Sequence, residues 1–131
     1  MAPARIVVVD DEPWMTELIS RVLLGAGYSV VALTQPTAAL ARARAGESFD
    51  LAVLDVVMPH LTGEALAAQL RRQNPDLRIL YVTGYADALF QARPVLWEGE
   101  SFLEKPFTPE GLKEAVAMAL YGHREPPTSD A

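Results

Sequence analysis

The chain has 131 residues, half of them hydrophobic, which suffices for one domain with a sizeable core. Its net charge of −6 excludes a basic nucleic-acid-binding surface, and the absence of cysteine excludes disulfides, thiol nucleophiles and zinc–thiolate sites. No apolar run reaches transmembrane length and no signal peptide precedes Arg5, so a cytoplasmic protein without a membrane anchor is expected.

Ile6-Val7-Val8-Val9 is a continuous apolar run, the pattern of a strand buried on both faces. Asp10-Asp11-Glu12-Pro13 follows at once. Pro13 suits the first turn of a helix, whose positive end favours the acids before it. That helix carries Trp14, Met15, Leu18, Ile19, Val22 and Leu23 on one face and stops at Gly25 or Gly27. Residues 28–33 read as a strand, and Pro36 opens an alanine-rich helix that ends near Gly46. The third apolar run, from Leu51, ends in Asp55 and is closed by Pro59. By itself Asp55 also fits a residue that merely caps the next loop. Residues 62–73 are helical with Leu66 and Leu70 inward, and Asn74-Pro75 stops them. Residues 78–82 form the fourth strand, ending in Thr83-Gly84. Residues 86–92 make two helical turns before Arg93-Pro94 interrupts them, and Trp97-Glu98-Gly99 reads as loop. Ser101-Phe102-Leu103 is a short fifth strand before Glu104-Lys105-Pro106. Thr108, Pro109 and Glu110 start a last helix with Leu112, Val116 and Leu120 inward, stopping at Gly122. Residues 122–131 read as a frayed polar tail, and His60 and His123 as surface residues.

Strands alternating with helices predict an α/β fold, a doubly wound five-stranded parallel sheet with right-handed crossovers. Ligands of such sheets bind beyond the carboxyl ends of the strands, where strand order reverses. Asp10, Asp11 and Asp55 converge there if the first and third strands are neighbours, with Thr83 and Lys105 on the same rim. Three close carboxylates repel, and a hard cation with oxygen ligands neutralises them; magnesium is the expected one, with manganese an acceptable substitute. A carboxylate can also attack a phosphoryl group, and transfer then needs positioning and charge stabilisation. Lys105, the Thr83 hydroxyl and the Gly84 backbone N–H are placed to supply both.

Val-Val-Asp10-Asp11-Glu12, Leu54-Asp55-Val-Val-Met-Pro59, Thr83-Gly84 and Lys105-Pro106-Phe107 together resemble the receiver domains of two-component response regulators. The resemblance covers residues 5–121 and implies the flavodoxin-like (βα)5 fold with strand order 2-1-3-4-5. It implies phosphorylation of Asp55 by a histidine kinase or phosphotransfer protein. It further implies magnesium on Asp11, Asp55 and the Val57 carbonyl, with Asp10 helping through water. Thr83 and Lys105 would contact phosphoryl oxygens, and Phe102 would be a switching aromatic on the face that controls a partner protein. Lys105-Pro106 falls where the family often has a cis bond. Val57 and Tyr85, two residues after Asp55 and Thr83, would tune dephosphorylation. The interrupted fourth helix is similar to that of receivers at the ends of hybrid sensor kinases. The expectation is a stand-alone signalling module, not a turnover enzyme, without direct DNA binding, as a monomer or a weak phosphorylation-dependent homodimer. Two rivals stand beside it: a haloacid dehalogenase-type aspartyl-phosphate phosphatase, which wants Asp-x-Asp rather than adjacent aspartates, and a non-phosphorylated docking receiver.

Overall fold

A computed structural model describes residues 2–122. Chain order is β1 (Arg5–Val9), α1 (Pro13–Gly25), β2 (Ser29–Leu33), α2 (Pro36–Arg44), β3 (Leu51–Leu54), α3 (Gly63–Gln73), β4 (Arg78–Thr83), α4 (Ala86–Ala92), β5 (Glu100–Glu104) and α5 (Pro109–Tyr121). His123 and the expected tail lie outside the described residues, except Gly122, which closes α5 with a left-handed backbone, φ 75°. The strands are all parallel, in the order β2-β1-β3-β4-β5, the doubly wound flavodoxin-like arrangement.

Side chains alternate along each strand, so every apolar run divides between two cores. Ile6, Val8, Val53, Leu80 and Val82 pack with Met15 and Ile19 of α1 and Leu112 and Val116 of α5. Val7, Val9, Ala52, Leu54, Ile79 and Tyr81 pack with Leu40 of α2, Leu66 and Leu70 of α3, and Leu89 of α4. Each valine, leucine, isoleucine or methionine among them contributes roughly 1.5–3 kcal/mol when fully buried. Both faces therefore demand apolar residues, and an unbroken run is what marks these strands.

The buried stripe of α1 is narrower than the sequence suggests. Met15, Ile19 and Leu23 are buried, whereas Trp14 and Leu18 are 59% and 39% exposed. Each precedes a buried residue by one position, a rotation of about 100° around the helix that carries it off the sheet-facing axis. Helix α4 has seven residues, buries only Leu89 and ends at Ala92 with Arg93 as its cap, as the Arg93-Pro94 break leads one to expect. Thr62 and Thr108 cap α3 and α5, their hydroxyls accepting from the N–H of Ala65 at 3.3 Å and of Gly111 at 2.9 Å. Among the described residues no helix is long and apolar enough to cross a membrane.

Candidate functional site

Strand order reverses between β1 and β3, and the register Val9↔Leu54 sets the next residues, Asp10 and Asp55, side by side. The Asp55 N–H donates to the Val9 carbonyl at 2.9 Å, continuing the ladder one step past β3. Asp10 is 1% exposed; its Oδ1 accepts from the Glu12 N–H at 3.0 Å and its Oδ2 from Lys105 Nζ at 2.9 Å. Asp55 is 7% exposed; its Oδ1 accepts from the Val56 N–H at 2.8 Å and lies 3.8 Å from Lys105 Nζ. Asp11 completes the cluster, one carboxylate oxygen from each of the three lying within 4.8 Å of the others.

Burial, and next the charge of Asp10, push the Asp55 carboxyl up to about 7; Asp11 adds to the rise, while Lys105 and the Val56 amide oppose it. Three carboxylates against one ammonium leave a surplus of negative charge. An all-oxygen donor set of this kind fits a hard divalent cation such as magnesium.

Thr83, fully buried, ends β4, and its hydroxyl accepts from the Tyr85 N–H at 2.8 Å. Lys105 follows β5, its N–H bonded to the Thr83 carbonyl at 2.8 Å and its peptide to Pro106 cis. Gly84 is exposed on the same rim; a Cβ there would come within 4.0 Å of the Lys105 Cβ, an ordinary contact. Asp10, Asp11, Asp55 and Lys105 are thus drawn into one cluster, with Thr83 joined to it through the backbone of Lys105. Val57 and Tyr85 stand exposed, and so does His60, whose φ is 73°. Phe102 is 39% exposed on β5, its ring edge-to-face with Phe90 of α4 at 5.1 Å between centroids.

Some participants were not recognised from sequence. Gly63 opens α3, and a Cβ at this position would collide with the Asp55 carbonyl oxygen, so only glycine lets the helix reach the acidic loop. Its N–H donates to the Val56 carbonyl at 2.9 Å. A glycine one residue after a threonine cap was the available signal. Phe90, the partner of Phe102, carried none beyond its place in an apolar helix.

Comparison with known proteins agrees with this geometry. Residues 6–117 match the response regulator receiver domain family. The probable transcriptional regulatory protein TcrX of Mycobacterium tuberculosis is 32% identical over 108 residues, which are 82% of this chain and 46% of TcrX. The sensor kinase CckA of Brucella abortus is 32% identical over 118 residues, 89% of this chain but 12% of that kinase. The chain therefore spans less than half the length of either relative. The response regulator TrrA of Thermotoga maritima, solved in complex with Mg2+ and BeF, superposes with a TM-score of 0.77 at 31% identity, covering 89% of this chain and 99% of that one. With its reversed strand order, acidic cluster and lysine on the same rim, the chain belongs to the response regulator receiver domains of two-component signalling.

Proposed function

We propose that a receiver unit spanning residues 5–121 accepts a phosphoryl group on Asp55 from a histidine kinase or phosphotransfer protein. The β4–α4–β5–α5 face then passes the change to a separate protein. The observation that carries this reading is Lys105 Nζ, held 2.9 Å from Asp10 and 3.8 Å from Asp55 beside a surplus of carboxylates. An Asp55 oxygen bonds to phosphorus as the phosphorus–nitrogen bond of the donor phosphohistidine breaks, the electron pair returning to the imidazole. Lys105, the Thr83 hydroxyl and the Gly84 N–H are the groups that would meet the transferred oxygens. Asp10, Asp11, Asp55 and the Val57 carbonyl would hold Mg2+, or Mn2+ in its place, and the bound ion supplies charge neutralisation.

The output follows from one hydrogen bond. A Thr83 hydroxyl that turns to a phosphoryl oxygen gives up the Tyr85 N–H, and with it the start of α4. Phe102 then turns into the space Thr83 leaves. Phosphorylation selects this arrangement through contacts made only with the phosphoryl oxygens. Acetyl phosphate with magnesium should add the mass of one phosphoryl group to the intact protein and add nothing to Asp55→Asn. Normal labelling of Asp55→Asn would remove the assignment.

A further inference from the structure

Arg93 lies just after α4 and is only 6% exposed, although Arg93-Pro94 reads in the sequence only as a helix break. Its N–H donates to the Leu89 carbonyl at 2.7 Å and closes the helix. Nη1 donates to the Tyr81 hydroxyl at 3.1 Å and pairs with Oε2 of Glu100, whose side chain is fully buried. Nη2 donates to the Glu64 carbonyl, in the first turn of α3, at 3.2 Å. The guanidinium carbon sits 3.4 Å from the centroid of the Trp97 ring. Glu100 also accepts from the Tyr81 hydroxyl and, at 2.9 Å, from the Trp97 N–H. One ion pair thus fastens β4, β5, α3 and the loop over residues 93–99 to each other. Stranding either buried charge is costly, so the arrangement is hard to open piecemeal.

Helix α4 has no comparable tie. It buries only Leu89, lacks a side-chain cap, and starts from Tyr85, which is 66% exposed. A helix this short is not stable on its own. It meets β5 through the edge-to-face contact of Phe90 with Phe102.

We propose that Arg93 is a fixed hinge that divides the output face. Helix α4 moves as a short unit together with Phe102, while residues 93–99 keep one shape in both states. A displacement that enters at Tyr85 through Thr83 travels along the helix and stops at the clamp. Val95 and Trp97, 78% and 53% exposed, are then presented alike before and after phosphorylation. Only the α4 side of the face carries the signal. The trigger rests on Asp55 being the acceptor; the clamp does not.

Amide exchange of the full chain, with and without magnesium plus beryllofluoride, should change by about threefold or more over residues 84–92 and at Phe102, and stay constant over 94–99. Equal changes over 94–99 would overturn the hinge. Arg93→Met tests the clamp without phosphoryl chemistry: in the unliganded protein, exchange at the Trp97 and Glu100 amides should accelerate about tenfold or more. Unchanged rates there would overturn it. Should Arg93→Met fail to fold, Tyr81→Phe removes one hydroxyl and keeps the ion pair; it should give a smaller acceleration at the same two amides, and none would overturn the clamp. Beryllofluoride leaving every amide unchanged, Tyr85 and Lys105 included, while Arg93→Met loosens Trp97 and Glu100, would defeat the acceptor reading and uphold the clamp.

Discussion

Lys105 is held more closely by Asp10 than by Asp55: its ammonium lies 2.9 Å from Asp10 Oδ2 and 3.8 Å from Asp55 Oδ1. Asp10 is almost wholly buried, so this lysine offsets a charge that would otherwise lie stranded beside a second carboxylate. Lys105→Met should therefore destabilise the metal-free protein by about 1–3 kcal/mol in urea unfolding near neutral pH. Asp10→Asn combined with Lys105→Met should recover most of the loss. A double-mutant cycle that shows no coupling between the two positions would contradict this pairing.

Asp55 makes stability depend on pH in a defined direction. Its carboxyl titrates at about 7 in the folded protein, pushed up by burial and then by Asp10, and near its ordinary acidic value in the unfolded chain. Between roughly pH 4 and 7 the folded state keeps a proton that the unfolded state has released. The stability this group supplies is complete below about pH 4 and is lost as pH rises through 7. Asp55→Asn should accordingly raise the melting temperature of metal-free protein by about 3–8 °C near pH 8, and by little near pH 4. A gain of equal size at both values would show that the carboxylate charge is not its source. Stabilisation by added magnesium should follow the same titration, weakening as Asp55 takes up its proton.

Gly63 should matter for shape alone. A Cβ there would run into the Asp55 carbonyl oxygen, whereas a Cβ on Gly84 would only touch the Lys105 Cβ at 4.0 Å. Alanine is the better helix former, so propensity by itself would favour Gly63→Ala. The collision outweighs it, because the neighbour is backbone and cannot turn aside. Gly63→Ala should cost about 1–3 kcal/mol and slow labelling of Asp55 by acetyl phosphate. Gly84→Ala should leave folding nearly unchanged. Equal melting temperatures for wild type and Gly63→Ala would show that α3 can retreat freely.

The contrast between these residues shows what could be read from the chain itself. The three inner strands, β1, β3 and β4, are buried on both faces, so each appears as an apolar run, and the polar residue that ends it stands out. Asp10, Asp55 and Thr83 were legible for that reason, and Lys105 through its place in Lys105-Pro106-Phe107, although Lys105 and Asp10 are 95 positions apart. Arg93 was legible only as a helix breaker. An arginine is ordinarily exposed, and the partners that make its burial tolerable, Tyr81 and Glu100, sit on two different strands. Pairings of this sort leave no trace in local periodicity. The same holds for Phe90 against Phe102, and for Trp14 and Leu18, whose apolar character suggested the core although they face solvent.

The lifetime of the proposed Asp55 phosphate should depend on the side chains of Val57 and Tyr85. Hydrolysis of an aspartyl phosphate needs a water in line with the breaking bond, opposite the Asp55 oxygen. Val57 follows Asp55 by two positions and Tyr85 follows Thr83 by two, and they are 48% and 66% exposed. Neither offers a carboxylate or an amide to orient that water, and both are bulky enough to crowd it. Orientation is a large part of what a phosphoryl-transfer site contributes, so losing it should slow the step. The phosphorylated form should thus outlast that of receivers with polar side chains at both places. Val57→Asn should shorten its lifetime by roughly threefold to tenfold, since an amide can hold the attacking water without adding charge to the acidic cluster. Gels containing a phosphate-binding additive, sampled after the donor is removed, measure the decay directly. Faster loss from the wild type than from Val57→Asn would show that the approach of water is controlled elsewhere.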